Sequence, residues 1–412
     1  MTNDESTDQL ATHDVDVFRT AATAFLDGNA SRLQTTGTRW GVGDDTMSSY
    51  AKRSPEVEQD RIARARWWKQ LEFDAGFGWI TGPRDHGGSG LTAEFQRLYS
   101  ELRDGYDVPS TNVYTISLGM VAPAILDHGQ PEVVERYVTR LYRGDLIGCQ
   151  LFSEPGAGSD VAGLSTRADR DGDEWIISGQ KVWTSEAHHA DVGLLLARSN
   201  TDAAKHKGIT AFAISMSTPG IEVRPLTMMT GGTEFNEVFF NDVRLSDANR
   251  LGAVDGGWGV AISVLMNERA LGAGDGFGLG RAVERLKMMM SMPGMRGSDP
   301  VIRQQLAAII CRAECIRYQA LAADTRRKAG LPPGPADSVF KLANTEALRH
   351  VAKLAGEMLG PAVTADTGEW GTYAWAELIL TVPGMRVAGG TDEVMRNILA
   401  ERVLGLPKEP VS

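Results

Sequence analysis

The 412-residue sequence predicts an α+β protein in three parts: an N-terminal helical domain, a middle β-domain and a C-terminal helical bundle. Three observations carry this. Helical spacing of apolar residues fills the chain up to about residue 145 and returns after Asp255-Gly256-Gly257. Between them lie short strand-like runs separated by Gly, Pro and polar residues. There is no βαβ alternation and no internal repeat. The domains are expected at 1–148, whose first ~50 residues are extension and loop, at 149–253 and at 254–412.

Apolar spacing predicts helices over 17–30, 54–73 and 92–103, with a polar loop over 35–49 and a turn-rich stretch, GWITGPRDHGGSG, at 78–90. Pro131 suits the first turn of a helix running over 133–143. In the middle part Asp171-Gly172 is a hairpin signal between strands 164–168 and 175–178. Further strands are expected over 192–197, 209–216, 221–224 and 237–245, with an exposed loop at 199–207. Asp299-Pro300 opens a helix whose inner side carries Ile302, Leu306, Ile309, Ile310 and Ala313. The loop GLPPGPAD (330–337) precedes a helix with Phe340, Ala343, Ala347, Val351, Leu354 and Met358, which stops at Gly360-Pro361.

Composition narrows the function. Forty-two Lys and Arg against 53 Asp and Glu leave a formal charge of −11, which excludes the basic footprint that nucleic-acid binding requires. An apolar fraction of 42% excludes wholesale disorder, and 46 Gly announce close backbone approaches. Cys149, Cys311 and Cys315 form no disulfide framework; Cys311 and Cys315, four apart on a helix, are expected in the core, and a reducing cytoplasm fits. The opening MTNDESTDQLATHDVD lacks the apolar region of a secretory signal, and no run approaches the roughly 18 apolar residues of a membrane span. Gly156-Ala157-Gly158-Ser159 and GAGDGFGLG (272–280) miss the G-x-G-x-x-G spacing, which disfavours a Rossmann site. P-loop, H-E-x-x-H and G-x-S-x-G motifs are absent, the seven His form no ligand cluster, and no metal is expected.

Four longer segments point further. CQLFSEPGAGSDVAGLSTRA (149–168), ISGQKVWTS (177–185), EVFFNDVRL (237–245) and GGTDEVMRNILAERVLGLP (389–407) resemble, in this order and spacing, the acyl-CoA dehydrogenase flavoproteins. Milder matches are PRDHGGSGL (83–91) and ILDHGQPEVVERY (125–137). The resemblance covers roughly 70–407. It implies that family's fold, with a β-barrel or sandwich in the middle and a four-helix bundle at the end. It also implies FAD, an acyl-CoA substrate, an electron-transfer flavoprotein as acceptor and a tetramer built as a pair of dimers.

By the same resemblance Phe152, Ser153, Gly158 and Ser159 match the loop along the flavin and its pyrophosphate, and Trp183, Thr184 and Ser185 match the segment packed on the isoalloxazine. Thr391 and Glu393 match the turn and helix that touch the cofactor. The residue types suit a dinucleotide, since glycine permits close approach, hydroxyls and N–H groups meet phosphate and ring edges, and an indole offers a flat face. Glu154 reads equally well as a loop carboxylate bonding neighbouring amides, and Glu393 as a first-turn carboxylate favoured by the helix dipole.

The implied reaction removes the α proton of an acyl thioester while hydride passes from the β-carbon to flavin N5, leaving a 2-enoyl thioester. In many members the base is the Glu of a Tyr-Glu-Gly-Thr motif. Ala388-Gly389-Gly390-Thr391 stand here, so Gly389 cannot take a proton, although its backbone N–H can still polarise the thioester carbonyl. Some branched-chain, long-chain and steroid-side-chain members instead carry the base on the helix after the β-domain, directly before an Arg; that pair is Glu268-Arg269. The preceding run 260–266, VAISVLM, is apolar on nearly every face and marks a buried helix. Glu268 shares the stripe of Val264, Leu265 and Leu271, where desolvation should raise its pKa and suit it to proton abstraction. A structural Glu268-Arg269 patch, or a buried Glu neutralised elsewhere, is the competing reading, and Arg269 itself is expected to be structural.

A second departure concerns the cofactor. Members usually carry Arg-x-x-Phe-Gly, which reaches the flavin dinucleotide of a neighbouring subunit; this chain has MMMSMPGMRGSDP (288–300), whose methionines read as packing. A homologous second chain could complete the site, giving a heterotetramer in place of a homotetramer. The expected activity is dehydrogenation of a long, branched or otherwise bulky acyl group, with Gly272, Ala273, Gly274 and Gly276 leaving room beside the base. The alternatives are a flavoprotein of the same fold with altered chemistry, a monooxygenase or desulfinase, and a non-catalytic subunit of a hetero-oligomeric dehydrogenase.

Overall fold

The structure is a computed structural model that describes residues 14–33, 45, 47, 50–271, 278–292, 294–328, 331, 334–366, 370–371 and 373–408. Residues 1–13, the expected loop 35–49 apart from 45 and 47, the small residues Gly272, Ala273, Gly274 and Gly276, and the side chain of Arg269 lie outside the described residues. The chain divides into two units. Met1–Thr35, Arg53–Leu226 and Glu234–Val264 make the first, and Thr36–Lys52, Thr227–Thr233 and Leu265–Ser412 the second.

In the first unit come α1 (Val15–Asn29), α2 (Pro55–Asp74), α3 (Ala93–Arg103), α4 (Ala122–His128) and α5 (Pro131–Arg143). Asp14 Oδ1 caps α1 by accepting from the N–H groups of Asp16 and Val17 at 2.8 and 3.2 Å. Phe18, Ala22 and Leu26, four apart, then bury one face of α1 against Trp68 of α2 and Phe95, Leu98 and Tyr99 of α3. The all-helical reading of this part needs one correction: β1 (Ser31–Arg32) pairs antiparallel with β2 (Tyr106–Asp107).

The sheet contains β3 (Gly148–Leu151), β4 (Arg167–Asp171), β5 (Glu174–Ser185), β6 (Val192–Arg198), β7 (Ile209–Ser215), β8 (Ile221–Leu226), β9 (Phe235–Ser246) and β10 (Arg250–Leu251). Its path is β10-β7-β6-β4-β5-β9-β8, with β3 beside β6. Pairing is antiparallel except that β3 and β4 run parallel to β6. The hairpin turns at the expected Asp171-Gly172, but its first strand lies at 167–171 in place of the expected 164–168; Asp171 faces Glu174 across a turn in which Gly172 takes a φ of 63°. β5 outruns its expected end at 178 because register shifts between Ile177 and Gly179 and between Lys181 and Thr184 let it bend along β9 without losing the partner.

β6 and β7 divide two cores. Val192, Leu194, Leu196, Ile209, Ala211 and Ala213 face the helical layer that includes Ile125, Val138 and Leu141. The alternate residues Leu195, Ala197, Phe212 and Ile214 face Trp175, Val238 and Val243 inside the β-domain. Both faces are therefore dry.

α6 (Gly257–Leu271) is the chain's passage from the first unit to the second, and α7 (Leu279–Met290), α8 (Pro300–Lys328), α9 (Ser338–Leu359) and α10 (Tyr373–Val387) build the bundle before α11 (Asp392–Ile398). Leu286, Met289, Ile302, Leu306, Ile309, Val351, Trp375 and Leu378 share its core, so the methionine run does pack. Two expectations fail. Cys311 and Cys315 are exposed, because they lie on the side of α8 away from Ile302, Leu306 and Ile309. α6 is not buried all round: Val260, Ala261 and Val264 are, but Ile262 and Met266 are 42% and 45% exposed. An apolar run does not say how many of its faces have neighbours. No helix among the described residues is long and apolar enough to cross a membrane.

Candidate active site

In the first unit the segment 152–159 lies against the end of β5. The Val182 N–H donates to the Ser153 carbonyl at 2.9 Å. Lys181, fully buried, donates from Nζ to the Phe152 carbonyl at 3.1 Å and to Glu154 Oε1 at 2.7 Å. Glu154 also accepts from Ser165 N–H and Oγ and from the Thr166 N–H, at 2.6, 2.7 and 2.9 Å. Burial pushes the Glu154 carboxyl up, yet the Lys181 charge and these hydrogen bonds outweigh it and hold the group well below the usual carboxylate range. Glu154 is therefore the loop carboxylate of the plainer reading. Lys181, which the sequence did not single out, is the pin between loop and strand; it lies in the motif 177–185 but beyond the expected strand end at 178, so no expected strand face marked it as inward.

Phe152 is buried under this pin, while Gly158 and Ser159 are exposed. Side chains added at Gly156 or Gly158 would meet nothing within 4 Å. Trp183 takes a φ of 59°, unusual for a non-glycine residue, and leaves its indole 61% exposed, edge-on to Phe235 at 6.0 Å. Thr184 is buried with Oγ1 lacking any hydrogen-bond partner, and Ser185 is half-buried. An open glycine cradle, a bare indole and an unsatisfied buried hydroxyl fit a flavin dinucleotide.

Beyond Ser185 the histidine reading needs correction. Ligand atoms of Glu186, His188 and His189 lie within 4.8 Å of one another, a grouping with metal-like composition. A cation is already there, however. Arg61 Nη2 donates to Glu186 Oε1 and Oε2 at 3.1 and 3.3 Å and also to Glu58, which lies 3.4 Å from His189 Nε2. The group is an ion-pair network centred on a guanidinium, and burial lowers the His188 imidazole to about 4, keeping it neutral.

In the second unit Glu268 and Gly389 come together. Glu268 is half-buried, and a Cβ built on Gly389 would lie 3.4 Å from its Oε1. A side chain at 389 would thus start in contact with the 268 carboxylate, so both positions address one small volume. Gly389 and Gly390 take φ values of 65° and 89°, a left-handed pair that glycine adopts without strain. Thr391 is the N-cap of α11, its Oγ1 accepting from the Val394 N–H at 3.1 Å. The Glu393 side chain is 70% exposed and lies 3.5 Å from Arg396, as a first-turn carboxylate would.

Comparison with known proteins supplies the family. Residues 45–145, 149–243 and 255–404 match the family models described as acyl-CoA dehydrogenase N-terminal, middle and C-terminal domains. The chain is 34% identical over 361 residues to the acyl-CoA dehydrogenase IpdE1 of Mycobacterium tuberculosis, covering 86% of this chain and 91% of that protein. It is 42% identical over 292 residues to FadE34 of the same organism, covering 70% of this chain but 39% of FadE34. Among solved structures, the Tcur3481-Tcur3483 steroid ACAD gives a TM-score of 0.75 at 25% identity, covering 96% of this chain and 98% of the other. The ChsE4-ChsE5 complex from Mycobacterium tuberculosis gives 0.71 at 26%, covering 99% and 98%. With all three domains matched in order, the chain belongs to the acyl-CoA dehydrogenase family, FAD-dependent oxidoreductases that act on CH–CH bonds.

Proposed function

We propose that Glu268 takes the α proton of an acyl-CoA while the β-hydrogen departs as hydride, leaving a 2-enoyl-CoA. FAD, when bound, supplies the two-electron acceptor for that hydride. The observation that carries this reading is the approach of Glu268 to Gly389: where other members start a glutamate side chain, this chain has none, and the 268 carboxylate reaches the same volume. The Gly389 N–H donates to the thioester carbonyl, which acidifies the α C–H and holds the developing enolate oxygen. Gly158 and Ser159 hold the pyrophosphate, Trp183 gives the ring system a flat surface, and Ser153, Thr184 and Ser185 meet its polar edges, with Phe152 filling beneath. Thr391 and Glu393 contact the cofactor from the start of α11.

The acyl group is long, branched or otherwise bulky; the position of the base and the similarity to a structure titled steroid ACAD support this. Domain borders fall after 148 and 253, an electron-transfer flavoprotein is the acceptor, and the free thiols of Cys149, Cys311 and Cys315 favour the cytoplasm. Anaerobic mixing with a panel of acyl-CoAs tests the reaction. The flavin band of the parent should bleach, whereas Glu268→Gln should stay yellow and bleach about 10³-fold more slowly. Normal bleaching by that variant would place the base elsewhere.

A second reading concerns assembly. The segment 288–300 lacks Arg-x-x-Phe-Gly, and both solved structures above are named for two chains. We propose a heterotetramer in which a homologous chain completes the flavin site, with the homotetramer as the alternative.

A further inference from the structure

Next to the two-glycine turn sits a buried carboxylate to which none of the roles above is assigned. Asp392 begins α11 and is fully buried, where a first-turn aspartate would ordinarily face water. Its Oδ1 accepts from Lys341 Nζ at 2.8 Å and Thr345 Oγ1 at 2.9 Å, one turn apart on α9; its Oδ2 accepts from Arg386 Nε at 2.7 Å, in the last turn of α10. Lys341 Nζ also donates to the Arg386 carbonyl at 2.7 Å. One carboxylate thus ties the end of α10 and the first turns of α9 to the start of α11. The segment these ties bracket is Ala388-Gly389-Gly390-Thr391.

That segment needs an external clamp. Two successive glycines carry no side chains to anchor them and lose more backbone freedom on ordering than other residues. On one side the Ala388 N–H donates to the Gly384 carbonyl at 3.0 Å, and on the other Thr391 caps α11. Asp392 is the next residue along, and its three donors come from side chains 6, 47 and 51 positions away. Asp392 lies three residues from Gly389, and displacements of about 1 Å between reacting groups cost on the order of 100-fold in rate.

We propose that Asp392 is a positioning residue for the dehydrogenation, holding the Gly389 amide at its working distance from the Glu268 carboxylate through Lys341, Thr345 and Arg386. This rests on the reading of Glu268 and Gly389 given above.

The test uses the flavin-loaded protein, an acyl-CoA that bleaches the parent, and the variants Asp392→Asn, Thr345→Val and Arg386→Gln. Asp392→Asn should lower the rate constant of flavin reduction at saturating acyl-CoA about 10-fold or more, with the acyl-CoA dissociation constant moving by less than about threefold. Thr345→Val and Arg386→Gln, which each remove one bond to Asp392, should fall between. Hydrogen exchange of the 386–394 segment, measured without substrate, should quicken in the same order. Parent-like reduction by Asp392→Asn overturns the proposal, as does a loss that tracks melting temperature and affinity equally across the three. Should Asp392→Asn fail to fold, the two milder variants decide by the same criteria. Glu268→Gln run alongside separates the two readings: if it bleaches normally the base assignment falls, while unchanged exchange at 386–394 sinks the positioning role whichever residue is the base.

Discussion

Lys181 shows how much one buried side chain can organise. Its ammonium is out of water, with Glu154 as its charge partner and the Phe152 carbonyl as its other acceptor. Removing one partner of such a pair strands the other charge, a loss of about 3–5 kcal/mol. Lys181→Met should therefore lower stability by that amount in urea melts, and adding Glu154→Gln should recover part of it. The same pair sets an acid limit. The Glu154 carboxyl falls from its ordinary 4.5 to about 2 in the folded chain, burial opposing and Lys181 favouring the shift. Because the folded value is the lower one, its contribution to stability is full above pH 4.5 and fades as pH falls towards 2. Between those limits the melting temperature of the parent should drop more steeply than that of Glu154→Gln; equal slopes would assign the acid loss to other carboxylates.

At the scale of the element, β5 reaches Ser185 through two register shifts against β9, one of them at Gly179. Gly179 takes a φ of 152°, and a Cβ there would stand 2.7 Å from both Cα and Oγ1 of Thr166. Gly179→Ala should force β4 and β5 apart, costing about 3 kcal/mol and weakening FAD retention, since Trp183 to Ser185 lie downstream; thermal melts and flavin absorbance after gel filtration read both. This bend marks a limit of what the sequence reveals. The hairpin was legible because Asp171-Gly172 is a local signal, but the length of β5 depends on register shifts against β9, some 60 residues on. Cys311 was legible and misread: two positions past Ile309 is about 200° round the helix, which is the outer face. The Glu268-Gly389 pairing was reachable through family motifs. The Asp392 cluster was not, because Lys341 and Thr345 join it from about 50 residues away, with no pattern announcing the meeting.

For the whole molecule the question is whether one kind of chain suffices. A cofactor bound only by the folded assembly is retained according to how complete its site is, by mass action. This chain carries the glycine cradle, the bare indole of Trp183 and the unsatisfied Thr184 hydroxyl, but MMMSMPGMRGSDP stands where members contribute an Arg-x-x-Phe-Gly to the neighbouring subunit's dinucleotide. Under the two-chain assembly proposed above, part of the binding energy is missing from every site in a homo-oligomer and returns when a homologous chain with that motif joins. Purified alone, the chain should hold clearly less than one FAD per protomer and lose it on dilution. Co-expressed with such a partner, it should elute as one larger species with flavin restored and turnover gained. Absorbance ratios at 280 and 450 nm, paired with light scattering on the eluting peak, measure both. A fully yellow, stable oligomer of this chain alone would show that the flavin site is complete without a second kind of chain, and the proposed heterotetramer would fall.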